Sequence, residues 1–285
     1  MAVLRDGRVA VLAQATLAVH IFDRDGRLVD CWGSGLGGAH GLTCVMQGGE
    51  ESLWITDQES GAVGRYDLAG QLLQSIARPS HSEGPYSPTQ VGVAPHTGDV
   101  FVADGYGSNV VRCYTSSGEW LRTLTGEDSS QRFARPHGLA FDEQGFLHVA
   151  DRRNRRIVVY NEQGDFQFET YEDLHSPCGI TFGRDRMFVP ELFGGIKVFD
   201  RAFHLLGTCG TNVVQRPVEG WEGQEGWGWP ILPNWPDDLS TELPAKTWIA
   251  PHACAAAPDG TIYVVEWVRG GRITQIAAEP CSRTA

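Results

Sequence analysis

At 285 residues, 41% of them hydrophobic, the chain is long enough to bury a sizeable core. Its 35 glycines, 15 prolines and 9 tryptophans favour tight turns and aromatic packing, so an all-β fold is expected. A formal net charge of −12 repels phosphate and argues against a nucleic-acid or anionic-membrane partner, and no apolar run approaches the ~20 residues that span a bilayer.

The first apolar segment, Met1 to Phe22, is interrupted by Arg5, Asp6 and Arg8. The alternation of Val9-Ala10-Val11-Leu12 reads as a strand and not as a secretory leader. Leu17 to Phe22 and the turn Asp23-Arg24-Asp25-Gly26 follow. A second unit opens at Ala39-His40-Gly41-Leu42 and continues through Leu53-Trp54-Ile55-Thr56-Asp57 to Val63-Gly64-Arg65-Tyr66-Asp67. A third opens at Ser87-Pro88-Thr89-Gln90 and carries Val100-Phe101-Val102-Ala103-Asp104.

The fourth unit, Arg135 to Phe166, is the clearest. Pro136-His137-Gly138 leads into Leu139-Ala140-Phe141; further strands are Phe146 to Ala150 and Ile157 to Tyr160, with turns at Asp142–Gly145, Asp151–Asn154 and Asn161–Gly164. Short strands separated by Gly, Asn and Asp turns make an antiparallel meander. A fifth copy runs from Ser176-Pro177-Cys178-Gly179 to Asp200, and the last from Ala250-Pro251-His252-Ala253 to Gln275.

A period of about forty residues with four strands per unit is the mark of a β-propeller. Six copies predict a six-bladed β-propeller of four-stranded antiparallel blades, one domain over residues 1–285. The first copy shows no opening strand, so the C-terminal segment is expected to complete that blade. Residues 211–247 break the rhythm; rich in Trp, Gly, Pro and Glu, they read as an elaborated loop or lid on one face, or as a loop packed flat for stability.

His40, His137 and His252 fall at one position in the second, fourth and sixth units, 97 and 115 residues apart. The third and fifth units are read with Gln90 and Cys178 there. Alternate blades of a six-membered ring lie roughly 120° apart, so imidazoles at the mouths of the innermost strands converge on the axis. Three such nitrogens suit a catalytic zinc with an open position. Taken singly, each histidine could instead cap a strand or fill a turn. His20, His81, His96, His148, His175 and His204 lack the equivalence and read as surface or packing residues.

After the second strand of each unit come Asp57-Gln58, Asp104-Gly105-Tyr106, Asp151-Arg152, Glu191-Leu192 and Glu266-Trp267. The acids are expected to hold the turns by accepting backbone N–H groups. Tyr106 and Arg152 face the same end of the channel. A tyrosine beside a dication can serve as a base, and an arginine can grip a carboxylate through two N–H groups. Both could also be ordinary turn residues.

These motifs resemble the NHL-repeat six-bladed propellers, and among them the peptidyl-α-hydroxyglycine α-amidating lyases. The likeness is densest from Pro88 to Phe166, in Pro-Thr-x-Val at 88–91, Val-Phe-Val-x-Asp-Gly-Tyr at 100–106 and Ala-Asp-Arg-x-Asn-x-Arg-Ile at 150–157. The resemblance implies zinc on His40, His137 and His252, a catalytic Tyr106 and an active-site Arg152. It implies cleavage of the C–N bond of a carbinolamide, giving an amide and glyoxylate.

The chain departs from that pattern in three places. Val11 to Thr16 holds no arginine where the family carries one. Ala253 stands where the animal enzymes have a calcium-binding aspartate, and Gly107 where they have a paired cysteine, so neither calcium nor a disulfide is expected. Seven cysteines without a Cys-x-x-Cys pair read as the reduced thiols of a cytoplasmic protein. The leading expectation is a zinc-dependent lyase for a small carboxylate-bearing molecule. Another metal-dependent reaction in the channel, such as ester or lactone hydrolysis, and a non-catalytic NHL scaffold remain open.

Overall fold

A computed structural model describes residues 1–80, 84–192, 195–212, 247–268 and 270–277. The strands form successive antiparallel blades. The first contains Ala2–Val3, Val9–Leu12, Val19–Phe22 and Leu28–Trp32; the second, Ala39–Gln47, Glu50–Asp57, Val63–Tyr66 and Leu72–Ser75. The third contains Gln90–Val93, Val100–Asp104, Val110–Tyr114 and Trp120–Leu124; the fourth, Pro136–Phe141, Leu147–Asp151, Arg156–Tyr160 and Phe166–Thr170. The fifth contains Thr181–Phe182, Arg186–Glu191, Gly195–Asp200 and Leu205–Cys209. The sixth shows Pro251–Ala256, Ile262–Glu266 and Arg272–Ile276 among the described residues. The protein is an all-β, six-bladed propeller.

Two expectations need correction or a boundary. The first blade has its own opening strand, because Ala2 pairs with Ala10 and Val3 with Val9. Two residues are too few to show alternation, and the Leu4–Arg8 turn follows at once, closed by Leu4 N–H to the Arg8 carbonyl at 2.8 Å. The Trp-rich segment expected at 211–247 lies outside the described residues from 213 to 246; Thr211–Asn212 and Thr247–Trp248, at its ends, pair as parallel strands. No helix among the described residues is long and apolar enough to cross a membrane.

The middle strands of a blade are covered on both faces, which is why Val100–Asp104 and Leu147–Asp151 are buried throughout and read as continuous apolar runs. Outer strands carry exposed residues, as at Trp120–Leu124. Among the described residues, the five seams from the first blade to the sixth each have their own core. Ile21 of the first blade packs with Leu42 and Leu53 of the second; Trp54 and Val63 of the second pack with Val91 and Val102 of the third. Phe101 and Val111 of the third meet Leu139 and Val149 of the fourth. Ile157 and Val159 then meet Met187 and Phe199 of the fifth, and Ile196 meets Ile262 and Val264 of the sixth. Each such side chain contributes about 1.5–3 kcal/mol, and no blade could bury both faces alone.

The acids after the second strands are straps. Asp57 accepts Gly38 N–H at 2.9 Å, Asp104 accepts Ser87 N–H at 2.8 Å and Asp151 accepts Ala134 N–H at 2.8 Å. Glu191 accepts His175 and Ser176 N–H at 2.9 and 3.1 Å, and Glu266 accepts Ile249 N–H at 2.6 Å. Each carboxylate ties the turn between the second and third strands to the chain entering the innermost strand. Asp151 is also bonded by Arg156 Nε and Asn154 Nδ2, both at 2.7 Å, and both ion-pair side chains are fully buried.

Asp151→Ala would leave the Arg156 guanidinium buried with Glu169 as its remaining ionic partner. Removing one half of a buried pair costs about 3–5 kcal/mol. The expected result is a thermal midpoint lowered by roughly 10 °C; calorimetry showing an unchanged midpoint would contradict the strap.

Candidate metal centre and channel mouth

The three histidines sit on irregularities built into the innermost strands. Register shifts fall between Ala39 and Gly41, Pro136 and Gly138, and Pro251 and Ala253. In each case the skipped residue is the histidine. A bulge leaves its residue outside the ladder and re-aims the side chain, here toward the axis. Candidate ligand atoms of His40, His137 and His252 lie within 4.8 Å of one another, and their rings are 4.8, 4.9 and 5.2 Å apart between centroids.

The structure corrects one equivalence. The third-blade counterpart of these histidines is Thr89, not Gln90. Gln90 is paired with Ala103 as Gly138 is with Ala150, so the residue before each is the matching one. In the fifth blade the match is Cys178, as expected from the sequence; its N–H bonds the Pro190 carbonyl at 2.9 Å as Thr89 N–H bonds Ala103 O at 2.8 Å.

This position has a use in both intervening blades. His40 Nδ1 donates to the Thr89 carbonyl at 2.7 Å, and His137 Nδ1 donates to the Cys178 carbonyl at 2.6 Å. A carbonyl can only accept, so both imidazoles carry their proton on Nδ1 and present a bare Nε2. The small residue after each histidine makes the approach possible. A Cβ on Gly41 would stand 2.4 Å from the Thr89 oxygen, and one on Gly138 would stand 2.7 Å from the Cys178 oxygen.

The bare nitrogens meet Tyr106. Its hydroxyl lies 2.9 Å from His137 Nε2 and 3.3 Å from His40 Nε2. Burial brings His40 down to about 4 and holds His137 and His252 well below the ordinary imidazole range, with the Arg152 charge acting in the same direction. All three rings are therefore neutral near pH 7 and keep a lone pair for a cation. Three neutral imidazoles, two of them keyed by backbone acceptors, fit the donor set of a zinc site with an open position.

Arg152 opens a short 3₁₀ turn, Arg152–Asn154, and is 1% exposed. Its guanidinium carbon is 6.0 Å from the Tyr106 ring centroid, and its Nη1 is 3.8 Å from Cys178 Sγ. Burial pushes the Cys178 thiol up to about 11, so it stays protonated beside that cation. The structure thus brings all five sequence-selected residues, His40, His137, His252, Tyr106 and Arg152, to one mouth.

Beside the imidazoles a cavity of about 360 Å³ is lined by residues of the innermost strands, Leu42, Thr43, Gln90 and Thr181 among them. Of the six remaining histidines, His81 lies outside the described residues. His148 is buried, bonded to Asp142 at 3.0 Å and stacked on Phe203; His96 and His204 pair with Glu162 and Asp200. Two contributors escaped the sequence reading: the Thr89 and Cys178 carbonyls, which have no side-chain signature.

An NHL repeat model matches residues 133–160. Peptidyl-glycine alpha-amidating monooxygenase A of Xenopus laevis is 31% identical over 240 residues, 79% of this chain and 23% of the relative. Peptidyl-alpha-hydroxyglycine alpha-amidating lyase 2 of Drosophila melanogaster is 30% identical over 49% of this chain and 36% of its own length. The human NHL repeat-containing protein 3 is 30% identical over 50% of this chain and 44% of its own length. The chain thus spans less than half of each of these relatives. A streptogramin B lyase structure superposes with a TM-score of 0.59 at 15% identity, covering 98% of this chain and 82% of that one, a likeness of fold. The chain is a six-bladed propeller that carries an NHL repeat at residues 133–160 and is similar over 79% of its length to part of an amidating enzyme.

Proposed function

We propose that the protein is a zinc-dependent lyase that cleaves the C–N bond of a carbinolamide carrying a carboxylate. The products are an amide and glyoxylate or a related carbonyl compound. One observation carries the reading: imidazoles from alternate blades present bare Nε2 atoms to a single tyrosine hydroxyl at 2.9 and 3.3 Å. The likeness to amidating lyases supports the same chemistry.

His40, His137 and His252 would hold the zinc. When bound, zinc supplies Lewis acidity toward the substrate hydroxyl. Tyr106 would take the proton from that hydroxyl and return a proton to the departing nitrogen. The O–H electron pair becomes the new carbonyl bond as the C–N pair leaves with the amide, so no external oxidant or water is consumed. Arg152 orients the carboxylate, and its buried position strengthens that attraction relative to water.

The decisive measurement pairs metal content with glyoxylate release from α-hydroxyhippurate. The expected result is about one zinc per chain and turnover that stops on chelation and returns with zinc. Zinc without glyoxylate would move the assignment to another metal-dependent reaction, and a protein that takes up no zinc would leave a binding scaffold.

A further inference from the structure

We propose that the cavity between the sixth and first blades is an acyl pocket of the same site, taking a bulky apolar group on the carbonyl side of the substrate amide. The inference rests on the carbinolamide reading above and narrows it. The molecule it fits is a carbinolamide whose N-acyl group is apolar and of phenyl size or larger.

Strand register places the pocket. Directly paired residues of an antiparallel sheet share a face, as do residues two apart on a strand. Val11 pairs with His20, and Phe22 lies two residues on, so these three share one face of the first blade. Val265 pairs with Ile273 on one face of the sixth. The opposite faces are already packed: Ala10 and Ile21 lie in the core shared with the second blade, Ile262 and Val264 in that shared with the fifth. The remaining faces meet where the ring closes, and all five residues line a cavity of about 570 Å³, the size of a small-molecule site.

This seam is less filled than its counterpart between the fourth and fifth blades. There Ala150, before the strap Asp151, its pairing partner Ile157, and Phe199, before the turn at Asp200, are wholly buried. Val265, before the strap Glu266, its partner Ile273, and Phe22, before the turn at Asp23, hold the same places. All three keep exposed surface, and Ile273 is 39% exposed. Apolar surface left open in this way gains by being covered.

The pocket joins the site directly. His40 and His252 form its inner wall and also line the 360 Å³ channel cavity. The Trp267 ring, another part of the wall, has its centroid 6.3 Å from that of His252. Gln14, Ala15, Gly270 and Gly271 are exposed at the other end and form its rim. The charges along it are engaged: Glu266 accepts Ile249 N–H at 2.6 Å and pairs with Arg272, which also donates to the Thr247 carbonyl at 2.6 Å. The channel instead carries polar groups, where Gln90 Nε2 donates to Thr43 Oγ1 at 2.9 Å and Thr181 Oγ1 to the Cys254 carbonyl at 2.6 Å. An apolar acyl group leaving the imidazoles is therefore better matched by the seam.

Two unreactive ligands test this apart from turnover. Hippurate carries a phenyl group where N-acetylglycine carries a methyl group. Both are titrated calorimetrically into the zinc-supplemented full chain and its Val265→Phe and Ile273→Trp variants. The wild type should bind hippurate about 10- to 100-fold more tightly. Each variant puts bulk into the seam and should remove most of that preference, leaving N-acetylglycine unchanged. Thermal melting checks that the variants fold, and Ile273→Trp, at the exposed rim, decides the matter if Val265→Phe does not.

Equal affinity for the two ligands in the wild type, no hippurate binding at all, or equal loss of both ligands in a folded variant would each overturn the pocket. So would a preference that survives the substitutions, which would put the acyl group in the channel. A seam-dependent preference without glyoxylate release from α-hydroxyhippurate would keep the pocket and remove the lyase. Turnover with no preference between the ligands would do the reverse.

Discussion

Replacing His137 with alanine is expected to abolish both metal uptake and turnover. His137 is 1% exposed and central to the site: its Nδ1 bonds the neighbouring blade, and its Nε2 lies 2.9 Å from the Tyr106 hydroxyl. Even partners that only orient a ligand cost 10–100-fold in metal affinity when lost, so losing a ligand should cost at least about 100-fold. The Cys178 carbonyl would also lose its imidazole donor, at about 1–3 kcal/mol of stability. Zinc per chain after dialysis and the rate of glyoxylate release are the two readings. His204→Ala, at an exposed residue paired with Asp200, should match the wild type in both. Stoichiometric zinc in His137→Ala would end the three-histidine assignment.

Tyr106→Phe should separate chemistry from assembly. The variant keeps the aromatic ring and removes only the hydroxyl oxygen that reaches His137 and His40. Zinc content and hippurate affinity should therefore stay near wild-type values. The maximal rate should fall by about 10²- to 10⁴-fold, the range associated with a positioned acid or base. A rise in KM with kcat intact would show that Tyr106 only helps binding. Together the two variants distinguish a residue that holds the centre from one that moves a proton at it.

The blades were legible because turn chemistry repeats where the backbone needs it. Asp23, Asp67, Asp142 and Asp200 each accept N–H groups two and four residues on, and the glycine of Asp142–Gly145 has φ +88. The histidines were legible because one opening turn returns in alternate units as Ala39-His40-Gly41, Pro136-His137-Gly138 and Pro251-His252-Ala253. What failed to show was whatever lacks a side-chain pattern.

Thr89 was missed in favour of Gln90 because the turn between the first two strands of the third blade, residues 94–99, is one residue longer than its counterpart at 142–146, which shifts a count made back from Asp104. The opening strand Ala2–Val3 is too short for alternation. The carbonyl acceptors for His40 and His137 belong to neighbouring blades, a relation that exists only after the ring has closed.

Those carbonyls give the axis an unusual dependence on its surroundings. Two imidazole orientations are fixed by main-chain atoms across the second–third and fourth–fifth seams. Loosening a seam would therefore rotate a ring and slacken the grip on an ion, though no ligand had changed. If the three histidines hold the proposed zinc, affinity for it would gauge how well adjacent blades fit, and packing changes at Trp54 or Ile157 would tune the centre from the rim inward.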